Sequence, residues 1–351
     1  MKQRQRLRTI ASPRPHLLGC LAALFAACAG GLQASALARA PGARTAKSGP
    51  QPVLGISDNS AALFRDPRFR WLGVRVARIV VPWDIVRRPR ELAWDSAWLQ
   101  AARSEGVRPL VVFNGDPSHP RRLPSLAAYA SATETFMSSF PWVLDYTAWN
   151  EENHPLQPTM NDPRRAAEYF NALSRYCPSC SITAADVLDI PNMAGWVRSF
   201  LRFAHHPRLW GLHSYVDVGL GIHQRTSQLL RMVQGKVWFT EAGGVVWRWE
   251  RPYHSRRATF IVHPETHAAE LARRLLALAA ISRRVTRIYY YQWRVPHTLG
   301  WARTHGGLSW DSGLLRPDCS TRPAFLVIAR AVGRSTSHVP KARRDRAGNC
   351  I

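Results

Sequence analysis

Between residues 53 and 293 the chain repeats one pattern: a short run rich in β-branched and aromatic residues, then a longer stretch with helical periodicity. The runs are "VLGIS" (53–57), "RVARIVVPW" (75–83), "RPLVVFN" (108–114), "LDYTAWN" (144–150), "SITAADV" (181–187), "LWGLHSYV" (209–216), "KVWFTEA" (236–242) and "RIYYYQW" (287–293). Each has the length and composition of a buried strand. Among the intervening segments, "DSAWLQAARSEG" (95–106) opens on Asp95 as a cap and stops at Gly106. "DPRRAAEYFNALSRY" (162–176) has Asp162 as cap and Pro163 in its first turn, and "HAAELARRLLALAAISRR" (267–284) carries a broad apolar stripe.

Strands alternating with helices imply a parallel sheet, because a parallel pair needs a long crossover between its strands. Eight such units predict the α/β class and a single closed (β/α)8 TIM barrel. An open doubly wound sheet is the rival, but no run is followed by a G-x-G-x-x-G turn. No low-complexity linker divides residues 52–333, which are expected to form one domain followed by a basic tail, 334–351.

Residues 1–40 read as a secretory signal peptide. Lys2, Arg4, Arg6, Arg8 and Arg14 precede the apolar "LLGCLAALFAACAGGL", and Ala34-Ser35-Ala36 and Ala38-Arg39-Ala40 offer small-residue cleavage sites. Cys28 faintly resembles a lipoprotein acylation site, to which Phe25 is a poor fit. A leader over 41–51, secretion or an extracellular surface location, and no stable membrane insertion after cleavage follow from this reading. Four cysteines then remain, and export favours bridges Cys177–Cys180 and Cys319–Cys350. A redox or zinc role for "CPSC" lacks a surrounding pattern. The formal charge of +25 is almost all Arg, and those residues are dispersed. It raises the possibility of an anionic partner, but no nucleic-acid module is present.

In a barrel of this kind, functional side chains gather at the C-terminal ends of the strands. Two acids sit there: Glu151 in "AWNEEN" and Glu241 in "FTEAGG". Strict alternation places Trp149 with Glu151, and Val237 and Phe239 with Glu241, so both carboxylates converge if those faces point inward. Paired carboxylates are what glycoside hydrolysis needs, one as proton donor and one as nucleophile or base.

The order of short motifs resembles the retaining glycoside hydrolases of clan A. Asn150-Glu151 matches the Asn-Glu pair ending their fourth strand, and "TEAGG" matches the Thr-Glu-x-Gly ending their seventh. "ARIVVPW" places Arg78 and Trp83, a His-x-Tyr element places His213 and Tyr215, and Trp293 follows the eighth strand. The resemblance spans about residues 52–330 and departs at Glu152, where the family commonly has Pro. It implies Glu151 as acid/base with a raised pKa, Glu241 as ionised nucleophile, and Arg78 and Tyr215 steadying Glu241. It further implies Asn150 on a sugar 2-OH and Trp293 as a stacking floor. The implied partner is a carbohydrate, with no metal or organic cofactor.

Trp247, Trp249 and Tyr253, interleaved with Arg, and Trp301 and Trp310 decorate the last two loops in a manner that fits carbohydrate binding, a lipid surface or plain packing. "HPETH" (263–267) lacks the Glu-x-x-His arrangement of a zinc peptidase, and Pro264 reads as a helix start. Two other functions fit the same sequence: a barrel that binds glycan without cleaving it, and a basic secreted protein for an anionic partner.

Overall fold

In the computed structural model, which describes residues 51–250, 259–305 and 309–351, the repeated units form a barrel. The signal segment 1–40, nearly all of the leader and Tyr253 lie outside the described residues. The strands are β1 (Val53–Ser57), β2 (Val76–Pro82), β3 (Arg108–Asn114), β4 (Asp145–Thr147), β5 (Ser181–Thr183), β6 (Asp186–Leu188), β7 (Leu209–His213), β8 (Lys236–Ala242), β9 (Trp247–Glu250), β10 (Thr259–Val262), β11 (Val285–Tyr291) and β12 (Trp310–Asp311). Nine of them hydrogen-bond in parallel in the order β5-β4-β3-β2-β1-β11-β8-β7-β6.

The two ends of that order are halves of one run. Residues 181–188 pair with β4 through β5 and with β7 through β6, the change of partner falling at Ala184 and Ala185. An Asn150–Asp186 bridge ties the seam further. Counted by runs the barrel therefore has eight strands, and its seam is closed by a strand that changes neighbour halfway. This is the (β/α)8 fold the alternation predicts.

Val76, Val80, Leu110, Val112, Trp238 and Tyr289 fill the barrel interior. A larger apolar layer lies between the wall and the helices. At the base, Asp145 is fully buried and bonds both Arg108 and Arg287. Helix starts follow local chemistry: Ser125 caps Leu126–Ser139, and Asp162 caps Pro163–Tyr176.

Three expectations change. The helix expected to open on the Asp95 cap begins seven residues earlier than that cap implies, at Pro89, whose fixed φ suits a first turn. Asp95 is consequently buried in mid-helix. The sixth run stops at His213, and Tyr215 opens a short helix, Tyr215–Leu220. Residues 334–351 are also no loose tail. Cys350 is buried and bridged to Cys319, and Arg294 donates to the Gly348 carbonyl at 2.8 Å. The expected Cys177–Cys180 bridge is present too.

Loops from β8 and β11 add a small antiparallel sheet, ordered β10-β9-β12, beside the mouth. Among the described residues no helix is long and apolar enough to cross a membrane.

Candidate active site

Two local irregularities build the site. Trp149 does not share a face with Glu151: its ring packs outward against Tyr129 and Tyr169, and its N–H reaches Gln157 at 2.9 Å. Asn150 turns inward, and Glu151 then takes φ of 52°, a left-handed conformation that carries its side chain inward as well. In β8, Trp238 faces the interior while Val237 and Phe239 join the outer layer. Between Phe239 and Ala242 β8 holds one residue more than β11 between Ile288 and Tyr290, and it gains one against β7 between Gly211 and His213. Such a bulge shifts the phase of a strand, so Thr240 and Glu241 both face the interior network. After the bulge, Gly243 lies against the Tyr291 carbonyl and Gly244 against that of Ala268, leaving no room for a Cβ.

Carboxylate oxygens of Glu151 and Glu241 and a ring nitrogen of His213 lie within 4.8 Å of one another. Arg78, fully buried, binds the group together. Its Nη1 donates to Glu241 at 2.6 Å and to Ser57 at 3.1 Å. Its Nη2 donates to Asn150 Oδ1 at 2.6 Å and to Asp186 Oδ2 at 3.2 Å. Tyr215 donates to the other Glu241 oxygen at 3.0 Å. His213 uses both nitrogens, Nδ1 toward Glu151 at 2.9 Å and Nε2 toward Asp186 at 3.2 Å.

The charges are strongly coupled. Burial works against a charged imidazole, but Asp186, Glu241 and Glu151 outweigh it and push His213 up to about 10. For Glu151, burial is the largest influence and works upward. The His213 hydrogen bond and charge, with His154 and Arg78, reverse it and hold Glu151 below its ordinary value. The raised value expected for this residue is thus not that of the resting site. Glu152 is different: burial and then Asp186 push it well above its ordinary value. It accepts the Asp186 backbone N–H at 2.6 Å, and so props β6.

Glu151, His213 and Glu241 are the described residues that could offer a cation three ligands. Their donors are already committed to one another and to Arg78, and a protonated imidazole is no ligand.

The structure thus gathers Arg78, Asn150, Glu151, His213, Tyr215 and Glu241. Trp83 stands back, stacked on Tyr129. Trp293 is not an open floor: it is 3% exposed, with Phe69 and Phe325 against its ring and Asp58 holding its backbone N–H. Two residues absent from the sequence reading belong to the network. Asp186 gave no signal, lying in an alanine-flanked run. Tyr291 could have been found, since it shares a strand face with interior Tyr289. Burial and then Glu241, Asp58 and Glu151 raise its phenol well above normal. Among the loop aromatics, Trp310 meets the Tyr215 ring edge-on at 5.4 Å, and Trp301 stacks on His297.

No protein-family model and no curated protein matches the sequence. Solved structures do match in fold. A family 39 glycoside hydrolase from Bacteroides cellulosilyticus WH2 is 17% identical, with a TM-score of 0.51 over 80% of this chain and 64% of that one. The chain therefore spans less than two thirds of that relative. A family 39 β-xylosidase from Caulobacter crescentus gives 14% and 0.54, over 80% and 70% of the two chains. Xylanase 10B from Thermotoga maritima gives 10% and 0.57, over 80% and 94%. At these identities the likeness is one of fold, the barrel used by those glycoside hydrolases.

Proposed function

We propose that this chain is a secreted glycoside hydrolase that cleaves an oligo- or polysaccharide with retention of configuration. One observation carries the reading: Glu151 and Glu241 present oxygens within 4.8 Å of each other. Retaining enzymes hold their carboxyl groups about 5–5.5 Å apart, whereas inverting ones need roughly 6.5–9.5 Å to admit water.

Glu241 is the nucleophile. Arg78 and Tyr215 each occupy one of its oxygens, which orients the carboxylate. Glu241 attacks the anomeric carbon while Glu151 gives its proton to the departing oxygen, and a glycosyl ester forms. Glu151 then takes a proton from water, which attacks the ester and frees Glu241. Glu151 must acquire its proton in the complex, and a bound sugar ring that excludes water strengthens the upward push of burial. Asn150, its Oδ1 held by Arg78, has its amide N–H groups left for a sugar hydroxyl.

A barrel that binds glycan without cleaving it is the second reading, favoured by the ionised resting state of Glu151. A panel of activated aryl glycosides and their 2-fluoro analogues separates the two. Turnover, a covalent adduct mapped to Glu241, and loss of turnover with retained sugar binding in Glu241→Gln are the expected results. Binding without release or adduct would leave the second reading standing.

A further inference from the structure

Asp186 is the first residue after the change of partner in the barrel seam, and it is fully buried. Its Oδ1 accepts from Thr240, and Gly211 opposite has no space for a Cβ because that oxygen fills it. Its Oδ2 is shared by two nitrogens, Arg78 Nη2 and His213 Nε2, both at 3.2 Å. Those nitrogens are 3.3 Å from each other. Arg78 is permanently a donor. In the neutral tautomer protonated at Nδ1, His213 Nε2 would accept from it directly. With Asp186 Oδ2 accepting from both, Nε2 carries a proton, and with Nδ1 also donating to the Glu151 carboxylate the ring is the imidazolium.

We propose that Asp186 is a positioning residue that keeps His213 charged and oriented, and thereby sets the proton affinity of Glu151. This deepens the function proposed above and rests on it for its kinetic consequence, though not for its chemistry. His213 is faced by Arg78 from β2, by Glu151, Glu152 and His154 from the segment after β4, by Asp186 from β6 and by Glu241 from β8. Arg78 and His154 oppose its charge, and Asp186, Glu241 and the Glu151 hydrogen bond favour it. Asp186 stands first among these favourable charges, and its own carboxyl is held down to about 2, where burial is outweighed by His213 and then Arg78.

Asp186→Asn removes a negative charge that lies nearer His213 than Glu151, so it weakens the proton's hold on the ring more than on the carboxylate. In the state with one proton between them, that proton then lies more often on Glu151, as the acid step needs. The test is a titration of the His213 ring by nitrogen-15 NMR in the full chain, with pH profiles of kcat/KM on a cleaved aryl glycoside. In the native protein the ring stays protonated through pH 8. In Asp186→Asn its titration falls by about one to three pH units, and the high-pH limb of kcat/KM, set by loss of the proton that His213 and Glu151 share, moves down with it. A neutral His213 at pH 7 in the native protein overturns the proposal even if the variant does not fold. An unshifted titration in a folded variant overturns it equally. Failure to cleave any glycoside would strike the proposed function while the ring titration still decided the role of Asp186.

Discussion

Trp149 and Glu151, two positions apart, face opposite sides of the barrel wall: one packs between helices, the other meets His213 at 2.9 Å across the mouth. A β-strand cannot do this without a break in its alternation, and the break is the left-handed backbone of Glu151.

That conformation costs an L-residue about 1–2 kcal/mol, and glycine almost nothing. Glu151→Gly should therefore be more stable than Glu151→Ala by about 1 kcal/mol, reversing the order found in ordinary strands. Both variants lose the carboxylate, so chemical denaturation of the pair isolates the backbone contribution. Equal stabilities would show that the surrounding chain relaxes the strain.

Glu151→Gln should lower kcat/KM by about 10²–10⁴ for glycosides with poor leaving groups. Aryl leaving groups of low pKa need no proton and should suffer far less in the first step. A leaving-group series read for native protein and variant checks this, and a uniform loss across it would argue against an acid role.

Asp95 should make the fold less stable as pH rises. Burial, then the like charge of Glu91, lifts it to about 7 from an ordinary 3.8. The folded chain therefore binds the proton more tightly than the unfolded one. Its contribution is complete below about pH 4 and is lost progressively as pH climbs to about 7. Each unit of such a difference corresponds to about 1.4 kcal/mol. Asp95→Asn should remove that slope and be the more stable protein at pH 8, by denaturant melts at both ends of the range.

The two bridges should differ in weight. Cys319–Cys350 spans 31 residues and Cys177–Cys180 only three. Loop-closure entropy gives the first about 3.5 kcal/mol and the second about half of that. Cys350→Ser should lower the melting temperature more than Cys177→Ser, provided residues 334–351 detach when their anchor is cut.

The barrel could be read from the alternation of runs because parallel strands buried on both faces have an unmistakable composition. The meeting of Glu151 with Glu241 could be expected from their strand ends, though for the wrong local reason. Strict period-two counting pairs Glu151 with Trp149 and Glu241 with Phe239, and both of those rings point outward. A left-handed residue and a bulge correct the phase twice, and neither has a signature in one sequence. Asp186 was invisible for another reason. Its importance arises from Arg78, His213 and Thr240, residues from three other strands, closing around it. Trp293 misled because position after a strand says nothing of which way a ring turns once Asp58 has pinned the backbone.

The edge contact between Trp310 and Tyr215 has a practical consequence for anyone redesigning what the barrel grips. Tyr215 holds Glu241, so the decorative loop and the Glu241 carboxylate form one mechanical train. Loops from β8 and β11 cannot be exchanged as independent cassettes. A graft that omits an aromatic ring at that point would reshape the mouth and slacken the Glu241 carboxylate in the same stroke.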